Sequence, residues 1–377
     1  MLEKIPVKKT PKQRIATTDQ LSIDGERRRG RGAKTNLSGR FEAQVREDFD
    51  DGWESLDELE PFKTHVRHEL AKTIITKNDS PDVFFDQSIN PYRGCEHGCI
   101  YCYARPTHCY LGLSAGIDFE TSLCAKTNAA ERLEAELSKP RYRVKPTALG
   151  TNTDPYQPIE KSYGVTRQIL EILNCANHPV SVTTKSAMIL RDIDLLASLA
   201  SRNLVTVAIS ITTLDHRMSR KMEPRASTPD RRLEAIAKLS EAGIPTAVLF
   251  APVIPAINDS ELEAVLHRAA QAGASAAAYV MLRLPLEISA LFQEWLEEEL
   301  PNRAKHVMSL VRDIRKGKDY ISAWYERHTG AGPYADLTAQ RFRIATQRLG
   351  LMERSFVLRE DLFTPPKAPQ AQLDLFK

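Results

Sequence analysis

From about residue 73 the chain settles into a rhythm. Short apolar runs alternate with segments whose apolar residues recur every three to four positions. Runs at 147–151, 180–184, 204–211, 246–251 and 277–282 have the length and composition of buried strands. Another short strand is expected to lead into the loop around Cys95. Between these runs, Leu133 and Leu137 share one helix face, and Leu233, Ile236 and Leu239 share another. Asn128 is placed to cap the first of these helices. Thr228, followed by Pro229 at the first helical position, opens the second, and Gly243 lies past its end. Ser260 and Glu263 have the spacing of a capping box, and Gly273 closes that helix. Strand and helix alternating in this way predict an α/β fold with a parallel sheet and right-handed crossovers. With about six such units, the expected architecture is a partial (β/α)6 TIM-like barrel rather than a closed eight-fold one. No internal repeat is visible.

The flanks read differently. Residues 1–72 form a polar arm without sustained periodicity, expected to be largely disordered, with one short helix around 53–59. The barrel is expected over 73–300, a helical C-terminal extension over 301–362, and a Pro-rich linker with a short tail over 363–377. A hydrophobic content of 42% over 377 residues is enough for one large core plus tails. The net charge of +3 conceals strong blocks. Residues 1–40 carry eleven Lys and Arg against four Asp and Glu, whereas 41–60 carry nine acidic residues against Arg46 alone. The run Arg27-Arg28-Arg29-Gly30-Arg31-Gly32 can lie along phosphates or stay a solvated tail. The extension carries Arg312, Arg315, Lys316, Lys318, Arg341, Arg343 and Arg348. It reads either as a helical cap over one barrel end or as a surface facing nucleic acid. No stretch of eighteen apolar residues exists, so no membrane span is expected. Met1 to Arg14 lacks the apolar segment of a secretory signal. Both point to the cytoplasm, where thiols stay reduced and six cysteines read as metal ligands or core residues.

Three of those cysteines carry the chemistry. The motif runs Gly94-Cys95-Glu96-His97-Gly98-Cys99-Ile100-Tyr101-Cys102-Tyr103, a C-x3-C-x2-C spacing. Thiolates suit iron, and short cysteine spacings on one loop hold Fe–S clusters. Three ligands cover three irons of a cubane and leave the fourth open. Gly94 and Gly98 would let the loop wrap closely. The competing reading is a structural Cys3His zinc site completed by His97 or His108, although no second C-x2-C pair exists.

The spacing, with an aromatic residue just before the last cysteine, resembles the radical S-adenosylmethionine (radical SAM) superfamily. That resemblance implies a 4Fe–4S cluster on Cys95, Cys99 and Cys102. It also implies SAM bound to the open iron through its amino and carboxylate groups, and an electron donor. From about 85 to 300 the chain is similar to the spore photoproduct lyase branch. The similarity lies in Cys99-Ile100-Tyr101-Cys102-Tyr103, Thr151-Asn152-Thr153-Asp154, Thr183-Thr184-Lys185, Ser210-Ile211-Thr212 and Glu223-Pro224. The Arg93 loop and the stretch from Tyr110 to Glu120 resemble a bacterial group of lyase-like radical SAM proteins whose substrates are unassigned. By this resemblance Lys185 pairs with the SAM carboxylate, and Ser210 bonds its ribose or methionyl part. Thr153 and Asp154 lie near its amino group, Tyr101 near its adenine, and Tyr103 relays the radical. The sequence departs at Thr151, where the lyase has a cysteine that returns a hydrogen atom. A hydroxyl is a far poorer donor of hydrogen atoms than a thiol. Cys109 or Cys124 could replace it; each, like Cys175, otherwise reads as a small core residue.

The chain ends Gln372-Leu373-Asp374-Leu375-Phe376-Lys377. The pentapeptide from Gln372 to Phe376 resembles the segment by which bacterial replication and repair proteins dock on the DNA sliding clamp. Leu375 and Phe376 would be apolar anchors presented by the linker. With the basic flanks, this predicts a lyase-like radical enzyme acting on DNA, in repair or base modification. The alternatives are the same chemistry on RNA, a peptide or a small molecule, and a non-catalytic zinc-stabilised clamp adaptor.

Overall fold

The fold was taken from a computed structural model, which describes residues 23–42, 60–351 and 356–366. The strands are β1 (His65–Glu69), β2 (Ile75–Lys77), β3 (Gln87–Ile89), β4 (Tyr92–Arg93), β5 (Ser122–Lys126), β6 (Thr147–Leu149), β7 (Val180–Thr184), β8 (Val205–Ser210), β9 (Thr246–Val253) and β10 (Ala276–Met281). The α-helices are α1 (Asp118–Thr121), α2 (Ala129–Leu137), α3 (Glu160–Tyr163), α4 (Val165–Cys175), α5 (Ile193–Ala200), α6 (His216–Met222), α7 (Pro229–Glu241), α8 (Leu262–Gln271), α9 (Glu287–Glu299), α10 (Ala304–Asp313), α11 (Glu326–Thr329) and α12 (Pro333–Leu349).

The main sheet runs β10-β9-β8-β7-β6-β3-β2. Neighbours from β3 to β10 pair in parallel, and β2 joins β3 antiparallel. Six parallel strands with helices between them make the expected partial (β/α)6 barrel. Its core packs Val182, Val207, Ile209, Val248 and Phe250 of the strands against Leu170, Leu196, Ile236 and Leu266 of the helices. Val- and Ile-rich strands buried on both faces are what a parallel sheet requires. A second apolar cluster joins α9, through Ile288, Leu291, Phe292 and Trp295, to Ile100, Ile117 and Met222. It fixes α9 behind the cysteine loop. A small sheet, β1-β5-β4, flanks the same loop.

Several local expectations are corrected. Residues 23–42 are packed rather than disordered. Lys34 pairs with Glu298 and Glu299, Arg40 with Glu287, and the Thr35 hydroxyl donates to Glu294, all on α9. Residues 65–69 form β1. A polar composition misled here because the partners are themselves polar. The helix expected at 53–59 lies outside the described residues. Asn128 stands at the start of α2 without a side-chain cap; its carboxamide bonds the Ala71 backbone instead. Thr228 likewise opens α7 without a side-chain cap. No capping box forms at Ser260. Residues 259–261 make a 3₁₀ turn, α8 begins at Leu262, and Glu263 pairs with Arg341 of α12. The linker is docked up to Pro366. Phe363 packs on Tyr142 and His178, and Thr364 donates its N–H to the Ala176 carbonyl. Cys175 is exposed rather than a core residue. The basic residues of the extension are largely paired, Arg312 with Asp319 and Lys316 with Glu326, while Arg315 is buried against the Leu282 and Glu326 carbonyls. Among the described residues no helix is long and apolar enough to cross a membrane.

Candidate active site

The parallel strands end together at Ile89, Leu149, Thr184, Ser210, Val253 and Met281, and the cysteine loop lies across that end. It is fastened from several sides. The Cys95 N–H donates to the Phe119 carbonyl at 2.9 Å, and the Ile100 N–H to the Met222 carbonyl at 3.0 Å. Gln157 grips both faces of one peptide turn, donating to the Gly94 carbonyl at 3.1 Å and accepting from the Glu96 N–H at 2.9 Å. From behind, Arg105 donates to the Cys99 carbonyl and pairs with Glu120 at 2.6 Å; both side chains are wholly buried. The Glu120 carboxylate also accepts from the Gly32 and Ala33 N–H groups at 2.9 and 2.8 Å. Arg27, Arg28 and Arg31 of the arginine-rich run are engaged within the molecule, whereas Arg29 is exposed. Arg31 donates to the Glu120 and Phe62 carbonyls, Arg28 pairs with Glu298, and Arg27 lies over the Phe62 ring. Gly32 is obligatory in this arrangement, because a Cβ there would stand 1.8 Å from the Gly98 carbonyl oxygen. Gly98, with φ +67°, faces Glu120 and Pro224. The loop glycines thus serve packing behind the loop.

Cys95 and Cys99 are buried and Cys102 partly so. Burial raises all three thiol pKa values, that of Cys99 to about 12. Buried thiols of this kind become thiolates only with cationic metal beside them. Among the described residues, no three His, Cys, Asp or Glu side chains converge on a single-ion site. A cubane is compatible with this, because each of its thiolates takes a different iron. Among the described residues neither histidine joins the cysteines in a single-ion site; His97 Nδ1 is 3.3 Å from Asp154, and His108 Nε2 is 2.9 Å from the Ser122 carbonyl.

Asp154, expected near the SAM amino group, has both oxygens engaged within the protein. Oδ1 accepts from the Thr184 hydroxyl at 2.6 Å and the Tyr156 N–H at 2.9 Å; Oδ2 accepts from the Lys185 N–H at 2.8 Å. Burial opposes its charge, but His97 and these donors prevail and hold its pKa down to about 2. Thr153 is buried, with its hydroxyl 3.4 Å from the Tyr92 carbonyl. Ser210 donates to the Ala251 carbonyl at 3.2 Å. Lys185 projects its Nζ over the Tyr101 ring at 5.8 Å, and it forms no hydrogen bond or ion pair among the described residues. Tyr101 is buried, and its hydroxyl donates to Glu223. Glu223 also binds Arg232, wholly inside the protein. Burial again opposes the charge, while Arg232 and Lys185 bring the Glu223 pKa to about 2. Tyr103 is half-exposed and donates to the Thr151 carbonyl. The Thr151 hydroxyl is held by Asn90 at 3.0 and 3.2 Å. Cys109 lies beside Arg40 and Glu287, and Cys124 beside Arg67 and Arg93.

Gln157, Glu120 and Arg232 escaped the sequence reading. Only Arg232 left a signal: it falls four residues before Ile236, so a charged residue interrupts an otherwise apolar helix stripe.

Three thiols on one glycine-flanked loop, across the carboxyl ends of a partial barrel, define a class of proteins that carry a metal–sulfur group. A family model for the radical SAM superfamily matches residues 89–269. An uncharacterised protein of Mycobacterium tuberculosis is 38% identical over 243 residues, which span 64% of this chain and 70% of the relative. This chain belongs to the radical SAM superfamily. It is an enzyme of that superfamily, whose cofactors are a 4Fe–4S cluster and SAM. A protein of Pseudomonas phage M6 named a radical SAM Nalpha-GlyT isomerase is 29% identical over 170 residues, covering 44% of this chain and 33% of that protein. The fold resembles spore photoproduct lyase solved with dinucleoside spore photoproduct. The TM-score is 0.56 at 16% identity, over 78% of this chain and 82% of the lyase.

Proposed function

We propose that this enzyme acts on DNA, in repair or base modification, with Cys95, Cys99 and Cys102 each holding one iron of the cubane. When bound, the cluster and SAM together supply a 5′-deoxyadenosyl radical that takes a hydrogen atom from the substrate. The chain's own residues position and shield that chemistry. Lys185 is the carboxylate-binding group; a cation at a buried strand end without an anion of its own suits that task. Ser210 and Thr153 line the SAM site, and Tyr101 forms its floor beneath the adenine. Asp154 acts one step back, fixing the backbone from which Lys185 projects. Tyr103 relays the hydrogen atom, because its phenol rests on Thr151, the position of the lyase cysteine. An external donor supplies electrons. The reducing cytoplasm is the fitting compartment.

The observation that carries this reading is the meeting of three thiols, two buried and one partly so, with the Lys185 ammonium, unpaired among the described residues, at the mouth of a lyase-like barrel. The DNA assignment draws on the lyase's own dinucleoside complex and on the tail from Gln372 to Phe376, proposed to dock on the sliding clamp. That tail lies outside the described residues. The docked linker leads toward it from the Tyr142 and His178 end of the barrel, opposite the cysteine loop.

Anaerobic reconstitution with iron and sulfide, then assay for 5′-deoxyadenosine with and without DNA, tests the proposal. Wild type should load a cubane whose electron paramagnetic resonance changes on adding SAM. Release of 5′-deoxyadenosine should rise with DNA, and Cys99→Ala should abolish both. Turnover that DNA never affects would remove the substrate assignment. Equal iron loading by Cys99→Ala would remove the ligand assignment.

A further inference from the structure

An open barrel has two free edges, here β10 and β2. Residues 314–329 bridge them. At the β10 side, Arg315 donates to the Leu282 carbonyl at 2.7 Å. At the other, Asp82 in the β2–β3 connection takes Arg327 and the Tyr325 N–H, and Arg327 also reaches Ser80. This strap closes the side of the barrel next to the active site.

Arg283, two residues past β10, links the strap to the site. Its guanidinium lies 4.9 Å from the Tyr103 ring centroid, with Nη1 3.1 Å from His328 Nε2 and Nη2 3.4 Å from the Tyr320 hydroxyl. An arginine only donates, so His328 accepts and is neutral there. No carboxylate pairs with Arg283 among the described residues, and its Nε is buried without a partner. Beyond it stand large side chains turned to solvent: Trp324 is 58% exposed, Tyr325 64%, and Phe84, two residues from Asp82, 62%. Scattered exposed aromatics need no explanation. Here contacts run from Tyr103 through Arg283 and His328 to Asp82, which holds the Tyr325 N–H next to Trp324, and the unpaired charge along them is the Arg283 cation.

Building on the DNA reading above, we infer that this surface binds an unpaired DNA strand: Arg283 takes a backbone phosphate, and Trp324 and Tyr325 stack on successive bases. Aromatic faces with an arginine are the chemistry that grips single strands irrespective of sequence. A paired duplex offers no base faces to such a platform. A base at the cysteine loop must also leave the stack to be reached.

The test is fluorescence anisotropy of the full chain with a labelled single-stranded oligonucleotide, the same sequence as duplex, and the same sequence as RNA. Wild type should prefer the single DNA strand. Trp324→Ala/Tyr325→Ala, on an exposed surface where folding is safe, should weaken it about tenfold or more. Arg283→Gln should weaken it and reduce the slope of log affinity against log salt by about 0.7. Wild-type DNA binding that both variants retain in full would overturn the strap assignment and leave the DNA reading standing. Tighter binding of duplex or RNA would overturn the commitment to an unpaired DNA strand. Absence of DNA binding by wild type would remove the DNA reading, and this inference with it.

Discussion

Glu120 is the point at which the N-terminal segment, the cysteine loop and Arg105 meet, and Glu120→Gln would remove its charge and one of its acceptor positions. The carboxylate accepts from Arg105 at 2.6 Å and from two backbone N–H groups at 2.9 and 2.8 Å, with no exposure to water. Glutamine keeps the shape but carries no charge, and its amide nitrogen would face donors rather than acceptors. Arg105 would then be a buried cation without a counter-charge. Removing one partner of a buried pair costs roughly 3–5 kcal/mol. Urea unfolding of the metal-free protein under anaerobic, reducing conditions measures this without relying on turnover. The midpoint should fall by that free energy divided by the m-value, with m itself unchanged. Gly32→Ala attacks the same junction sterically, since its Cβ would sit 1.8 Å from the Gly98 oxygen. It should also destabilise, by on the order of 1–3 kcal/mol for each N–H it pulls away from Glu120. Iron uptake should fall in both variants, because the loop loses its backing. A Glu120→Gln protein that unfolds within about 1 kcal/mol of wild type and takes up iron equally would refute the brace.

Three further outcomes are expected. Lys185→Met should weaken SAM binding to the reconstituted protein more than about tenfold by calorimetry, with little change in unfolding midpoint, since the ammonium makes no hydrogen bond or ion pair among the described residues. His178 is buried, with Nδ1 donating to the Pro179 carbonyl and Nε2 lying 2.7 Å from the Tyr142 hydroxyl; burial lowers its pKa from 6.5 to about 4. The unfolded chain therefore binds this proton first, and the stability present above 6.5 is lost as pH falls toward 4, by roughly 3 kcal/mol. Denaturant midpoints followed through that window should flatten in His178→Gln; an unchanged slope would discount this histidine. Phe363→Ala should release the C-terminal linker, at about 1–2 kcal/mol for a half-buried ring, and be read as faster trypsin cleavage after Lys367.

The sequence by itself determined what depends on near neighbours. The periodic runs placed the five predicted strands within a few residues of β6 to β10, because a buried strand must be continuously apolar. The spacing of Cys95, Cys99 and Cys102 located the loop, because ligands on one loop need no tertiary structure to be close in space. Tertiary structure decided the interactions whose partners are distant in the chain. That Asp154 meets Thr184, Lys185 and Tyr156 is visible only in the fold. The polar segment at 23–42 looked unstructured until α9 and Glu120 supplied its counter-charges. Burial of a charged residue is fixed by what stands opposite it, and no local pattern of apolar positions encodes a partner some ninety residues away, as Glu120 is from Gly32.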